Sequence, residues 1–244
     1  MIFDRDSVVL GIRKILPIMP SVFLFGIIFG LTGNIANLSL YLVSSMSFII
    51  FAGSGQFIAL VLIVEGKGLT AIIVTAIVIN FRHLLFSANI NKIVKVNGFK
   101  KLLSAYLLTD EAFIVTTNVD KGLKSGKIVH PEVNMEDVLI GAGLTLWFLW
   151  NIATIMGYLL GNIIGDAVNI STNFIVSATF LGYLISHWAN SPVERKFILA
   201  ISLISFIFSF WLESADLIIL VLSTGFVISM ISSKLSSNSE GETS

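Results

Sequence analysis

Cysteine is absent from this chain of 244 residues, and both proline and charge are scarce. Without cysteine there are no disulfides, no thiolate metal sites and no thiol nucleophile. Only 12% of the residues are charged, which is about half the share found in a soluble domain, and 15 basic residues balance 15 acidic ones. A soluble globular domain and a basic nucleic-acid surface are therefore excluded. The mean hydropathy of +0.93 indicates an integral membrane protein.

Long apolar runs dominate the chain, and a spanning helix needs about 20 such residues. The candidate segments are residues 16–36, 40–64, 69–90, 102–119, 138–164, 173–189, 197–212 and 217–232. Because lipid offers no partners to backbone polar groups, these segments predict an all-α, polytopic transmembrane bundle of about eight hydrophobic segments. We expect residues 1–232 to form a single transmembrane transporter domain and the polar residues 233–244 to form a disordered tail.

The distribution of lysine and arginine predicts that both termini lie in the cytoplasm. One loop disagrees, because Lys92, Lys95, Lys100 and Lys101 would lie outside if every segment crossed the membrane. The loop would return to the cytoplasm if the third and fourth segments re-entered the membrane instead. Eight crossings are our working expectation, with residues 69–119 as the region where crossing and re-entry stay open.

Two small-residue patterns bear on helix packing and on symmetry. The spacings Gly26-x-x-x-Gly30 and Gly157-x-x-x-Gly161 predict helices that cross closely. The pattern G-[ND]-x-x-N-x-S occurs at residues 33–39 and again at 165–171. Duplicated halves are common in transporters, and apolar sequence also repeats by chance. An internal repeat and coincidence both stay open.

The first break in the apolar pattern is FAGSGQF at residues 51–57, inside the second segment. Each glycine lowers helix propensity by roughly 1 kcal/mol, so we expect an interrupted helix. Its free N–H groups would suit a carboxylate at the positive end of a half-helix. The alternative is that the small residues only let a neighbouring helix approach. The candidate substrate-binding residues here are Phe51, Gly53, Ser54, Gly55, Gln56 and Phe57.

The second break is NFRHLLFS at residues 80–87. An arginine at bilayer depth costs about 2.5–3.5 kcal/mol, so Arg82 should face a polar cavity or a partner. A guanidinium can hold a carboxylate with two hydrogen bonds, which makes Arg82 and its neighbour Asn80 candidate substrate-binding residues. His83 is a candidate proton carrier. The alternative is a span that ends at Asn80, with Arg82 and His83 at the membrane interface.

The third break places Asp110 and Glu111 side by side inside the fourth segment. They could pair with Arg82, bind an amino group or carry a proton, because burial favours the protonated form of a carboxyl. The alternative is an interfacial helix with a solvated acidic face. In the fifth segment Trp150 could line an apolar pocket or anchor the helix at the interface.

These three blocks, FAGSGQF at 51–57, N-x-RHLLFS at 80–87 and LTDEAF at 108–113, resemble the signature blocks of the AzlC family of branched-chain amino acid permeases. The resemblance runs from about residue 11 to residue 220. It departs from the family at Phe86, where Tyr is usual, and at Ser54 and Gly55, where Ala-Ala is frequent. The resemblance implies export of leucine, isoleucine, valine and related amino acids, together with a small AzlD-type membrane subunit as partner.

The residues by themselves favour a secondary transporter that works by alternating access. No nucleotide-binding motif is present, so an ion gradient or the substrate gradient must supply the energy. In this hypothesis a proton carried by His83, Asp110 or Glu111 drives export, and neither a cofactor nor a metal is expected. The runner-up is a channel or passive facilitator for small polar solutes. An intramembrane enzyme with Asp110 and Glu111 as acid and base is a weaker hypothesis, because no nucleophile accompanies them. A scaffolding membrane subunit is a further alternative.

Overall fold

A computed structural model describes residues 3–95, 98–128 and 132–164, together with isolated positions 199, 203, 204, 206–208, 210 and 211. Within these residues the regular structure is entirely helical, and the expected membrane helical bundle is confirmed in class. The helices are α1 Arg5–Ile15, α2 Met19–Ile35, α3 Leu40–Ile49, α4 Gly53–Val64, α5 Leu69–Asn80, α6 Arg82–Ile90, α7 Gly98–Leu107, α8 Asp110–Lys124 and α9 Met135–Ile164. The segments predicted at 173–189 and 217–232, most of 197–212, the polar tail 233–244 and the second copy of the sequence echo lie outside the described residues.

Two long helices form the scaffold. A short 3-10 turn, Leu16–Ile18, joins α1 to α2, so that Arg5–Ile35 is one apolar unit of 31 residues. It runs parallel to α9, because Ser7 meets Asn134 at one end and Asn34 meets Asn162 at the other. We call the end with Ser7 and Asn134 the N-terminal end, and the other the distal end.

Glycine lets the scaffold helices touch backbone to backbone. A Cβ atom on Gly30 would overlap the carbonyl group of Thr154, and one on Gly157 would overlap that of Ile27. Close packing of this kind stabilises helix pairs in lipid, where the hydrophobic effect does not drive helices together. The close crossing predicted from the two glycine spacings is confirmed.

Helices α3 and α4 form a hairpin that enters from the distal end. Ser39 caps α3 by accepting a hydrogen bond from the amide of Leu42. The helix stops at Ile49, and α4 starts again at Gly53. The two legs face each other, since the Gln56 amide donates to Ser47 at 3.0 Å, and α4 returns toward the distal end, where Phe57 meets Phe29 of α2.

Helices α5 and α6 then cross from the distal end to the N-terminal end. Helix α5 runs beside α4 in the opposite direction, so that Asn80 at its end lies against Gly55 at the start of α4. Phe81 makes a small irregular step before α6. Together Leu69–Ile90 is an apolar unit of 22 residues, long enough to span a bilayer.

Helices α7 and α8 form a second hairpin, which enters from the N-terminal end. Lys100 near the start of α7 pairs with Glu136 and Asp137 at the start of α9. Leu107, at the end of α7, reaches Gly143, which lies further along α9. After a break at Leu108 and Thr109, α8 packs against α1 and so returns to the N-terminal end.

The structure corrects the expectation that the second and fourth segments cross the membrane. Each is a pair of helices of 10 to 15 residues, or about 15–22 Å at 1.5 Å per residue, too short for a core of about 30 Å. The hydropathy of a segment depends on how many of its residues are apolar, and a break in the helix does not change that number. Lys95 and Lys100 therefore lie at the same end as the N-terminus, which removes the disagreement in the lysine distribution.

Candidate functional site

The three interrupted motifs meet at one cavity of about 110 Å³. Gly53, Arg82 and Asp110 are each the first residue of a helix, so three helix N-termini converge where the hairpin tips meet the crossing helix. A buried water needs about 10–15 Å³, so this space admits a small organic molecule. The lining residues are Val22, Phe25, Phe51, Ala52, Gly53, Ser54, Phe57, Arg82, His83, Thr109, Asp110, Glu111, Leu146 and Trp150.

An ion pair forms the polar end of the cavity. Arg82 Nη2 lies 2.9 Å from Asp110 Oδ2 and donates a hydrogen bond of 2.7 Å to Ser54 Oγ. One guanidinium thus connects the crossing helix to the tips of both hairpins. Arg82 Nε is buried and has no hydrogen-bond partner among the described residues. Within the described part of the chain, the guanidinium therefore keeps an unused donor beside the cavity.

Two further titratable side chains line the same end. His83 Nδ1 lies 3.1 Å from the carbonyl oxygen of Asn80, and its ring packs edge-on against Phe86. Glu111 is the second residue of α8, whose positive helix end favours a carboxylate. Thr109 caps that helix by accepting a hydrogen bond from the amide of Ala112. Among the described residues no group of three His, Cys, Asp or Glu side chains could hold a metal ion.

The start of α4 presents main-chain donors to the cavity. The first N–H groups of a helix have no partner within the helix. At α4 they belong to Gly53 and the residues that follow, and Ala52 provides no side chain to cap them. Such uncapped groups at a positive helix end are suited to a carboxylate.

Aromatic rings form the apolar end. Trp150 of α9 lies over Gly53, where a Cβ atom would come within 3.3 Å of its ring, and it stacks on Phe29 at 6.1 Å. Phe51 lies at the hairpin tip with φ of 43°, a left-handed conformation that is unusual for a bulky residue. Phe57 completes this wall from the first turns of α4. Apolar residues of α2 and α9 also line the cavity, namely Val22, Phe25 and Leu146.

Most residues singled out from the sequence line this cavity, and three do not. Gly55 and Asn80 pack against each other behind the wall, where a Cβ atom on Gly55 would lie 2.8 Å from Asn80 Nδ2. Gln56 is fully buried and turns away toward Ser47. The structure brings the remaining ones together, namely Phe51, Gly53, Ser54, Phe57, Arg82, His83, Asp110, Glu111 and Trp150.

Several lining residues were not singled out from the sequence. Val22, Phe25 and Leu146 are ordinary apolar residues in apolar helices, and no local signal marks them. Thr109 carried a signal that could have been used. It directly precedes two acidic residues, which is the typical arrangement of a helix N-cap.

Comparisons with known proteins identify one family. The model of the family described as AzlC protein matches residues 17–164. The inner membrane protein YgaZ of Escherichia coli is 26% identical over 182 residues, covering 72% of this chain and 71% of that protein. The branched-chain amino acid transport protein AzlC of Bacillus subtilis is 24% identical over 192 residues, covering 74% of this chain and 66% of that one.

Of three relatives compared, an archaeal protein matches over the largest share of both chains. An uncharacterized membrane protein of Archaeoglobus fulgidus is 28% identical over 192 residues, which is 78% of each chain. No solved structure gives a significant match. The matched family region, 17–164, includes all three breaks and every residue that lines the cavity.

Proposed function

The chain belongs to the AzlC family, and from that premise we propose that it is a secondary transporter that exports branched-chain and other apolar amino acids across the cytoplasmic membrane. Membership of this family suggests branched-chain amino acid transport, as the name of the Bacillus subtilis relative states for that protein. It also argues against an enzyme. The proposal also includes the outward direction of transport, its coupling to protons and the alternating-access mechanism.

The observation that carries the proposal is the two-ended cavity. An amino acid at neutral pH has a carboxylate and an ammonium group close together, with a side chain pointing away from both. The Arg82–Asp110 pair offers one partner for each charge, and the aromatic wall offers an apolar surface for the side chain. A zwitterion that enters this pair leaves the net charge of the site unchanged, so no uncompensated charge is buried.

The proposed pose follows from the donors and acceptors present. The substrate carboxylate binds the first amides of α4 and Arg82, including the Nε atom that has no hydrogen-bond partner among the described residues. The substrate ammonium binds Asp110. The aliphatic side chain lies against Phe51, Phe57 and Trp150, where burial of a leucine side chain is worth about 1.5–3 kcal/mol. A polar side chain would lose its hydration there without gaining partners, so apolar amino acids are favoured.

A proton gradient is the proposed energy source. Each elementary charge that crosses the membrane gains about 2.3 kcal/mol per 100 mV of potential. His83, Asp110 and Glu111 are the proposed proton carriers, because all three face the cavity beside the substrate position. One proton that enters for each substrate that leaves would therefore support substantial accumulation outside.

The proposed orientation places the N-terminal end in the cytoplasm. The described residues at this end include Arg5, Lys14, Lys95 and Lys100, and positive loops favour the cytoplasmic side. The second hairpin, α7–α8, then enters from the cytoplasm, and the first, α3–α4, from outside. A cytoplasmic C-terminus and a small AzlD-type partner subunit complete the proposal.

Transport by reconstituted vesicles tests the function. Vesicles loaded with labelled leucine should release it faster when the protein is present, and unlabelled leucine on the other side should stimulate exchange. Arg82→Ala and Asp110→Asn should each lower the exchange rate by at least tenfold while the protein remains folded. Ser45→Ala is the control and should transport normally, because Ser45 does not line the cavity and its hydroxyl donates to the carbonyl oxygen of Tyr41 on the same helix.

Three results would count against the proposal. Normal exchange by both folded site variants would refute the site assignment. Release without saturation or exchange would favour the channel alternative. An exchange rate that does not change when a pH gradient is imposed would refute proton coupling alone. If the purified protein is inactive, the same assay with a co-expressed AzlD-type subunit decides whether a partner is required.

A further inference from the structure

A cluster of buried polar side chains lies behind the aromatic wall, outside the cavity. Ser47 of α3, Gln56 of α4 and Thr154 of α9 are fully buried, and Trp150 is 6% exposed. Ser47 Oγ is the centre of the cluster. It lies 3.0 Å from Gln56 Nε2, 3.2 Å from Trp150 Nε1 and 2.9 Å from Thr154 Oγ1.

The inventory of donors and acceptors fixes the direction of each bond. An indole N–H and an amide NH2 can only donate, so Trp150 and Gln56 both donate to Ser47 Oγ. They occupy the two lone pairs of the hydroxyl oxygen. The Ser47 proton must then be donated to Thr154 Oγ1. Ser47 thus uses its entire hydrogen-bonding capacity within this cluster.

These bonds hold the ring that forms the apolar wall. The side chain of Trp150 has one polar atom, Nε1, and its hydrogen-bond partner is Ser47 Oγ. If the indole rotated, its N–H would lose that partner in a buried site, which is costly. The other edge of the ring lies over Gly53, and its face stacks on Phe29. The position of the ring therefore depends on a serine that does not line the cavity.

We propose that Ser47 is a positioning residue that fixes the Trp150 indole and thereby sets how bulky an apolar side chain the cavity accepts. The inference rests on the proposed function, because selectivity presupposes an amino acid substrate. It does not involve Arg82 or Asp110, which bind the two charges of the substrate in that proposal. A change at Ser47 should therefore alter discrimination among side chains while the binding of the charged groups is retained.

The experiment compares binding of alanine, valine, leucine and phenylalanine to detergent-solubilised protein by calorimetry. One methylene group is worth about fourfold in affinity, which sets the scale. In Ser47→Ala the Kd of phenylalanine relative to that of valine should fall by at least about fourfold, because a released indole leaves more room. The Kd of alanine should stay within about twofold. Ser45→Ala, two residues away on the same helix, should change neither.

A second readout does not require any substrate. Protein labelled with 5-fluorotryptophan gives one fluorine resonance per tryptophan, and Trp150→Phe identifies that of Trp150. Ser47→Ala should broaden or shift this resonance, whereas Ser45→Ala should not. If Ser47→Ala fails to fold, Ser47→Cys serves instead, because a thiol fills the site of the hydroxyl, although it is larger, and is only a weak acceptor.

The outcomes separate the two levels of the proposal. Altered selectivity together with an altered Trp150 resonance supports it. Unchanged selectivity, or an unchanged resonance, overturns it. If the wild-type protein binds none of the four amino acids, either alone or with a co-expressed AzlD-type subunit, the proposed function fails, and the fluorine resonance alone then supports or overturns the positioning role of Ser47.

Discussion

Removal of Lys100 should destabilise the protein far more than removal of a lysine in an equally short ion pair elsewhere. Lys100 Nζ lies 2.7 Å from Glu136 and 2.8 Å from Asp137, and the side chains of Lys100 and Asp137 are 15% and 0% exposed. Lys124 lies 2.7 Å from Asp120, but its side chain is 73% exposed. The distances are alike, so exposure should decide the difference.

The expected magnitudes follow from burial. Lys100→Met leaves the fully buried Asp137 carboxylate with its bond from the Asp4 amide and without its cation, and breaking such a pair costs about 3–5 kcal/mol. Lys124→Met removes an exposed pair on one helix, which is worth about 0.3–0.5 kcal/mol. Reversible unfolding in mixed micelles measures both free energies of unfolding. Glu136→Gln, which retains the Lys100–Asp137 pair, should fall between them.

A matched double variant separates lost charge balance from lost packing. Replacement of a buried ion pair by apolar residues of similar size is often neutral. Lys100→Met combined with Asp137→Leu should therefore recover much of the stability lost in Lys100→Met alone. Equal destabilisation by Lys100→Met and Lys124→Met would refute the reasoning, and with it the placement of α7 against the start of α9.

The pKa of Lys100 and the course of α5–α6 give two further predictions. Burial lowers the pKa of Lys100, but hydrogen bonds and charges from Asp137 and Glu136 outweigh it and raise the pKa above the ordinary 10.5. The stabilisation should therefore be complete below about pH 10 and disappear as the pH rises through the raised pKa, and Lys100→Met should abolish that loss in an alkaline unfolding titration. Since the chain has no cysteine, Lys95→Cys and Gly68→Cys should react with an impermeant maleimide from opposite faces of the membrane. Labelling of both from one face would contradict a single crossing by α5–α6.

The sequence was sufficient for the class of fold and for the positions of the helix breaks. Sparse charge and long apolar runs predicted a helical membrane protein. The glycines of FAGSGQF and the charged residues at 82 and 110 marked the places where helices stop and restart, because each weakens a helix or demands a polar environment. These local costs act within a few residues, so a sequence reveals them.

Re-entry could not be read from hydropathy, because a hairpin and a span bury the same apolar residues. The one signal for re-entry was electrostatic, and it indicated the third and fourth segments, because eight crossings would place Lys92, Lys95, Lys100 and Lys101 outside. The fourth segment is indeed a hairpin, but the third, Leu69–Ile90, is long enough to span, and the other hairpin is the second segment. The buried partners of Lys100 and Trp150 could not be predicted either. Asp137 and Ser47 lie 37 and 103 residues away along the chain, and only tertiary packing brings them together.

The interrupted helices are costly for a protein that needs only to span a membrane. Phe51 is held in a left-handed conformation, which costs about 1–3 kcal/mol. The first amides of α4 have no partners within the helix and no side-chain cap, and Arg82 keeps a buried donor without a partner among the described residues. All three costs occur at one cavity. A carboxylate ligand would satisfy the amides and the guanidinium together, which is why strain and unused donors at one place favour a binding site over a packing defect.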